Sequence, residues 1–288
     1  MSESHAIAPH ASKGLPEGVA LVPRRFEFRD LQSVPKYWFA GLPVFTHLEN
    51  AFSIMIPPGE RFFIQSVRHY QHVVTDPEMR AQVRAFTEQE GLHMRAHNEF
   101  NRSLERYGVD VERENDEAER ALRRMQRLLP KKMQLGATAF LEHLTATSAH
   151  MLFTEPIIAQ VMPEEMLRFW SWHAAEELEH KAVAFDVFKA AGGGYLLRVL
   201  SAVASLMLLA GPFRRCVRRM MADDPTHISR KGVTKARQMR RRLAAKHARL
   251  LLAYFRPGFH PWQHDDRPLL KAWYENPEGL VEAITPAE

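Results

Sequence analysis

The 288-residue chain has one cysteine, Cys216. A lone cysteine excludes an internal disulfide framework and any thiolate-built metal site, and it suits a reducing, cytoplasmic compartment. No run of alternating apolar and polar residues marks a half-buried strand. There is no glycine-rich dinucleotide fingerprint, and there are no cysteines for an iron–sulfur cluster, so a redox reaction would need electrons from elsewhere. The opening MSESHAIAPHASKGLPEG lacks a basic stretch followed by an apolar one. It is read as a mobile tail over residues 1–20 rather than a secretory signal. A net charge of +5 is mild for a nucleic-acid binder. The basic stretch SRKGVTKARQMRRRLAAKHARLLLAYF lacks interleaved exposed aromatics, so no nucleic acid is expected as a partner.

What is present is helical. Asp76-Pro77-Glu78 reads as an N-cap with proline at the first helical position, and that helix is expected to end at Tyr107-Gly108. A second helix should cover about Lys132 to Thr154, stopping before Pro156. Another should start at Pro163-Glu164 and run to Ala191, where Gly192-Gly193-Gly194 ends it. Pro57-Pro58-Gly59 reads as punctuation, with Glu60 opening or continuing a first long helix to about Val74. The lead-in VPKYWFAGLPVFTHLEN is expected to wrap the core in short turns, and VERENDEAERALRRMQRLLP to form an exposed bridge. The expected organisation is a bundle with its lead-in over 21–194, apolar then basic helices over 195–258, and a C-terminal tail over 259–288.

Charged residues inside apolar helices then need an explanation, because burying an unpartnered carboxylate costs several kcal/mol. WHAAEELEHK places His173, Glu177 and His180 at i, i+4 and i+7, one stripe of a helix. AFTEQEGLHMRAHNEF carries Glu90 and His93 at i and i+3, with His97 one turn on. Glu60 lies beside Phe62 and Phe63, and Glu142 among small and apolar neighbours. The chain order is Glu, Glu-x-x-His, Glu, Glu-x-x-His, the ligand inventory of dinuclear carboxylate sites in four-helix bundles. Glu60, Glu90, His93, Glu142, Glu177 and His180 are the candidate ligands, with Glu90 and Glu177 as bridges. His173 is either a seventh ligand or a hydrogen-bond partner behind one. His97 and Glu176 are candidates for orienting the ligand imidazoles, whereas Glu179 and Lys181 are expected at the surface.

The stretches LENAFSIMIPPGERFF, FTEQEGLHMRAHN and WSWHAAEELEHKAVAFDV resemble a ferritin-like bacterial family labelled predicted metal-dependent hydrolases. The resemblance spans about Val22 to Phe255, with Pro57-Pro58 where Phe-Pro is expected. It implies an all-α, ferritin-like four-helix bundle with a dinuclear metal site, plus extra apolar and basic C-terminal helices. The wider resemblance is to ribonucleotide reductase small subunits, bacterial multicomponent monooxygenases and para-aminobenzoate N-oxygenases. It implies di-iron oxygen chemistry, and the N-oxygenases' extra histidine corresponds to His173.

A carboxylate-rich set without thiolate suits two iron ions, with manganese or zinc also accommodated. Phe86, Phe140, Phe169 and Trp170 lie nearby in sequence and suggest a dry pocket, which suits reactive oxygen chemistry and apolar substrates. The expected function is therefore a non-haem di-iron, O2-dependent oxygenase or oxidase acting on an apolar small molecule. A ferredoxin or reductase would supply its electrons. The alternative is a metal-dependent hydrolase using a dinuclear metal-bound hydroxide. YLLRVLSAVASLMLLAGPF, with Arg214, Arg215, Arg218 and Arg219 just beyond it, reads in two ways. It is a buried fifth helix or homodimer contact, or it is a membrane-surface contact through 195–219 that places the protein at the inner face of the membrane.

Overall fold

The computed structural model describes residues 14–226 and 230–276, and all regular structure among them is helical. The helices are α1 (Pro43–His69), α2 (Pro77–Ser103), α3 (Val111–Leu128), α4 (Lys131–Thr154), α5 (Pro156–Gln160), α6 (Glu164–His180), α7 (Val183–Ala190), α8 (Tyr195–Asp223), α9 (Arg230–Ala253) and α10 (Arg267–Glu275). α1, α2, α4 and the α6–α7 pair pack together as a ferritin-like four-helix bundle. α3 lies on α1 and α8, α8 on α4 and α1, and α10 on α6.

Several starts follow the local chemistry. Asp76 caps α2 by accepting from Met79 N at 2.8 Å, and Pro77 occupies its first turn. Gly108 takes φ +81° after the short 3-10 turn that follows α2, a conformation glycine adopts without strain. α6 and α7 are one expected helix interrupted at Lys181-Ala182, immediately after His180.

Three expectations need correcting. α1 begins at Pro43 and runs straight through Pro57 and Pro58, so the prolines do not punctuate and much of the lead-in is helical. Pro57 has no N–H to offer the carbonyl of Ser53 four residues back. Asn101 Nδ2 from α2 donates to that carbonyl at 3.1 Å and replaces the missing bond. The charged bridge is a helix, α3, capped by Asp110 and burying Ala118, Ala121, Leu122 and Met125. Its Glu114 is buried and takes Arg219 of α8 in a two-point contact, at 2.7 and 2.6 Å.

The supposed tails also pack. Residues 1–13 and 277–288 lie outside the described residues, but Leu15 and Val19 join a cluster with Leu269, Leu270 and Trp273 of α10. α8 is neither a fully buried helix nor an evenly exposed one. It buries Arg198, Ser201 and Ser205 while Leu196, Leu200 and Met207 remain exposed.

Candidate metal centre

Seven side chains from four helices meet inside the bundle. Glu60 comes from α1, Glu90 and His93 from α2, Glu142 from α4, and His173, Glu177 and His180 from α6. None is more than 3% exposed. Their donor atoms form two groups, one of Glu60, His93, His173 and Glu177, the other of Glu90, Glu177 and His180. Glu142 belongs with the second, its Oε2 3.3 Å from His180 Nε2.

Glu177 divides its oxygens between the groups. Oε1 lies 3.7 Å from His93 Nδ1 and 3.2 Å from His173 Nε2, and Oε2 lies 3.5 Å from His180 Nε2. Glu90 spans the same gap, with Oε2 3.9 Å from His93 Nδ1 and Oε1 3.5 Å from His180 Nε2. Glu60 Oε1 is 3.5 Å from His93 Nδ1. Atoms each about 2.0–2.2 Å from a shared ion lie roughly 3–4 Å from one another. The spacing of the donors fits two adjacent ions.

Their hydrogen bonding fits the same reading. Among the described residues, both oxygens of Glu60, Glu90 and Glu142 lack a hydrogen-bond partner, as do His93 Nδ1, His173 Nε2 and His180 Nε2. Orphaning one buried polar atom costs about 1–3 kcal/mol, more if it is charged. So many at one point form a site that cations would satisfy. Four carboxylates carry −4, and two divalent ions carry +4, so a loaded centre is neutral.

Partners on the far sides of the rings set which nitrogen faces inward. His180 Nδ1 contacts Gln89 Oε1 at 3.1 Å, and amide oxygen only accepts, so Nδ1 carries the proton and Nε2 is free. His93 Nε2 lies 3.1 Å from Glu176 Oε2, while Arg24 donates its backbone N–H to Glu176 Oε1 at 2.8 Å. An ionised Glu176 places the proton on Nε2 and leaves Nδ1 for the centre, against the burial and the Glu179 charge that push this carboxyl up to about 8. For His173 the path is longer. Asn101, fixed by its donation to Ser53 O, accepts from Ser53 Oγ at 2.7 Å. Ser53 Oγ therefore accepts from His97 Nδ1 at 2.8 Å, and His97 Nε2 accepts from His173 Nδ1 at 3.2 Å. His173 Nε2 is left unprotonated and turned to the centre. Pro57 of α1 thus begins a relay that ends at an inward-facing imidazole.

A family model described as predicted metal-dependent hydrolase matches residues 22–265. The chain belongs to that family. No curated protein and no solved structure matches it.

All seven converging residues and the relay behind them lie inside the matched stretch. The match starts at Val22, whose N–H donates to Glu179 Oε2 at 3.2 Å. The seven residues expected from spacing converge at one point, and Glu176 and His97 contact the imidazoles of His93 and His173. Sequence reasoning misplaced two others. Glu179 is fully buried and takes Val22 N, Gln89 Nε2, Arg24 and Tyr274 Oη. Lys181 is buried against Trp262 and paired with Asp266. It also missed Thr145, one turn beyond Glu142, whose hydroxyl donates to Glu177 Oε2. A threonine at i+3 from a ligand on the same helical face was the available signal.

Charge is under tension here. Burial pushes Glu60, Glu90 and Glu142 up, and for Glu60 and Glu90 the neighbouring carboxylates push the same way. Burial acts to raise Glu177 too, but His180 and His173 outweigh it and hold the group well below the usual carboxylate range while those rings carry protons toward it, a balance that neutral imidazoles would remove. Burial and His173 press His93 well below an ordinary imidazole, as suits a neutral ligand. Aromatic rings exclude water: Trp172 lies 4.9 Å from His93, Phe86 5.0 Å from His180 and Phe169 4.7 Å from His97.

Proposed function

We propose that this chain is a metal-dependent hydrolase with a dinuclear centre held by Glu60, Glu90, His93, Glu142, His173, Glu177 and His180. The reading rests on the set of inward-facing, unpartnered carboxylate and imidazole atoms, together with the family match. Sequence reasoning put oxidation first. The family description supports its alternative, hydrolysis, better.

Two divalent ions in such a site lower the pKa of water and polarise a carbonyl or phosphoryl oxygen. The residues do the rest. Glu90 and Glu177 present one oxygen to each half of the centre and would hold both ions. Thr145 holds Glu177 Oε2 with its hydroxyl and constrains how far that carboxylate can swing. Glu176, Gln89 and His97 keep the three imidazoles in the tautomers a metal needs. The surrounding rings favour an apolar small molecule as substrate.

Oxidation by O2 remains the second reading, favoured by the complete burial of the ligands behind aromatic rings. It requires iron and a separate electron donor. One experiment separates the two. Metal-stripped protein is reloaded with Zn²⁺, Mn²⁺ or Fe²⁺ and assayed on activated esters and phosphoesters and, after anaerobic reduction, for O2 uptake. Hydrolysis predicts turnover with Zn²⁺, which has no redox chemistry, and loss of turnover in Glu142→Ala. Ferrous protein that consumes O2 while the zinc form cleaves nothing overturns hydrolysis in favour of oxidation.

A further inference from the structure

The first half of α8 buries polar groups while leaving an apolar stripe exposed, whereas its second half turns Cys216 and Met220 to the core in the ordinary way. The inward side of the first half carries Arg198, Ser201, Ala202 and Ser205. Arg198 donates to the carbonyls of Arg256 and Phe259, and the two serine hydroxyls donate to Leu197 O and Ala202 O. Ser201 seats so closely on α4 that a Cβ at Gly136 would come within 2.6 Å of its Oγ. The outward side carries Leu196, Leu200, Val203 and Met207, with Leu196 73% and Met207 78% exposed. Steps of four, three and four residues align them in one stripe. Arg214 and Arg218 continue that stripe in the same register, both exposed. No salt bridge engages either arginine among the described residues.

Polarity on this face therefore changes along the helix axis rather than around it. Roughly 16 Å of apolar stripe, at 1.5 Å per residue, is followed by cations. Arg214, Arg215 and Arg218 line a cleft of about 470 Å³ with Leu48 and Phe213. A helix lying in the interface plane with this face down sinks such a stripe to the acyl boundary, while arginines near its end reach the phosphates by extending their side chains.

We propose that α8 docks the protein on an anionic phospholipid surface. The Leu196–Met207 stripe enters the acyl region, and Arg214 and Arg218 hold headgroup phosphates. A second copy of the chain fits this face less well. In a two-fold contact with parallel helices, Arg214 and Arg218 would meet their own counterparts. With antiparallel helices they would meet the leucines. Either way guanidinium groups are buried without a carboxylate. The inference is independent of the reaction assigned to the centre.

The test is co-sedimentation of the full chain with vesicles of phosphatidylcholine alone and of phosphatidylcholine mixed with phosphatidylglycerol. Sedimentation velocity without lipid is run alongside. Binding is expected to the mixed vesicles and to weaken as salt is raised. R214Q/R218Q should lower the partition coefficient by roughly thirtyfold at low salt, since each basic residue at an anionic surface contributes about fivefold. L200S/M207S should abolish binding. All four positions are exposed, so metal content and helicity should stay at the wild-type level and show that the variants fold. Wild-type protein that ignores both kinds of vesicle overturns the proposal. So does binding that survives R214Q/R218Q undiminished, or a lipid-indifferent dimer that L200S/M207S converts to monomer.

Discussion

Replacing Asn101 with alanine removes two hydrogen bonds that serve different ends. Its Nδ2 supplies the donor that Pro57 cannot give to Ser53 O, and its Oδ1 directs the Ser53 hydroxyl toward the His97 relay. An orphaned buried carbonyl costs about 1–3 kcal/mol, and the lost bond from Ser53 Oγ adds about 1 kcal/mol. N101A should therefore lose about 2–4 kcal/mol in urea unfolding of metal-stripped protein. Adding Pro57→Ala restores an N–H to Ser53 O within the helix, so P57A/N101A should recover about 1–2 kcal/mol of that loss. Metal affinity should not recover, because the tautomer of His173 is still unspecified. Removal of such outer partners weakens metal binding by about 10–100-fold. Chelator competition on both variants reads the second effect, and the four-protein unfolding cycle reads the first. If P57A/N101A is no more stable than N101A, Asn101 does not stand in for the missing amide and the relay argument fails.

Glu177→Ala should reduce metal content at both positions and Glu60→Ala mainly at one, because Glu177 faces both groups and Glu60 only one; elemental analysis of protein purified without added metal tests this. Burial raises Glu114, but its bonds to Arg219 outweigh that and leave its pKa depressed. Its contribution is thus complete above the unfolded carboxylate pKa and is lost as pH falls through the folded value. Melting curves of E114Q should accordingly lie about 1–3 kcal/mol below wild type near neutrality and converge with it in acid. Trp273→Ala should cost about 3–5 kcal/mol, since Trp273 is buried between Arg24 and the α10 cluster. Thermal unfolding indistinguishable from wild type would remove α10 from the cooperative fold.

The centre was legible in the sequence because its information is local. Glu90 with His93, and His173 with Glu177 and His180, declare themselves by spacing on one helix, and a buried carboxylate in an apolar stretch demands a counter-charge. What escaped depends on residues far away in the chain. Pro57 was read as a stop because nothing near it shows that Asn101, on another helix, would replace its missing donor. Glu179 and Lys181 looked solvated because α6 shows no polar face of its own. Their partners arrive from Val22–Arg24 at one end and His264–Tyr274 at the other. α3 was read as exposed because its apolar residues are few, although Ala118, Ala121, Leu122 and Met125 suffice for one contact stripe.

The enclosure of α6 by these two distant segments bears on the order of assembly. The helices that carry Glu60 through His180 leave the ribosome well before Tyr274, which donates to Glu179 at 2.9 Å. Glu179 in turn accepts from Gln89 at 2.7 Å, and Gln89 is the residue that orients His180. A nascent chain can form the bundle early, but the support behind His180 is complete only after α10 has emerged and docked. The support behind His180 is therefore completed by contacts between segments far apart in the chain, which carry a large loop-closure cost and form late in folding.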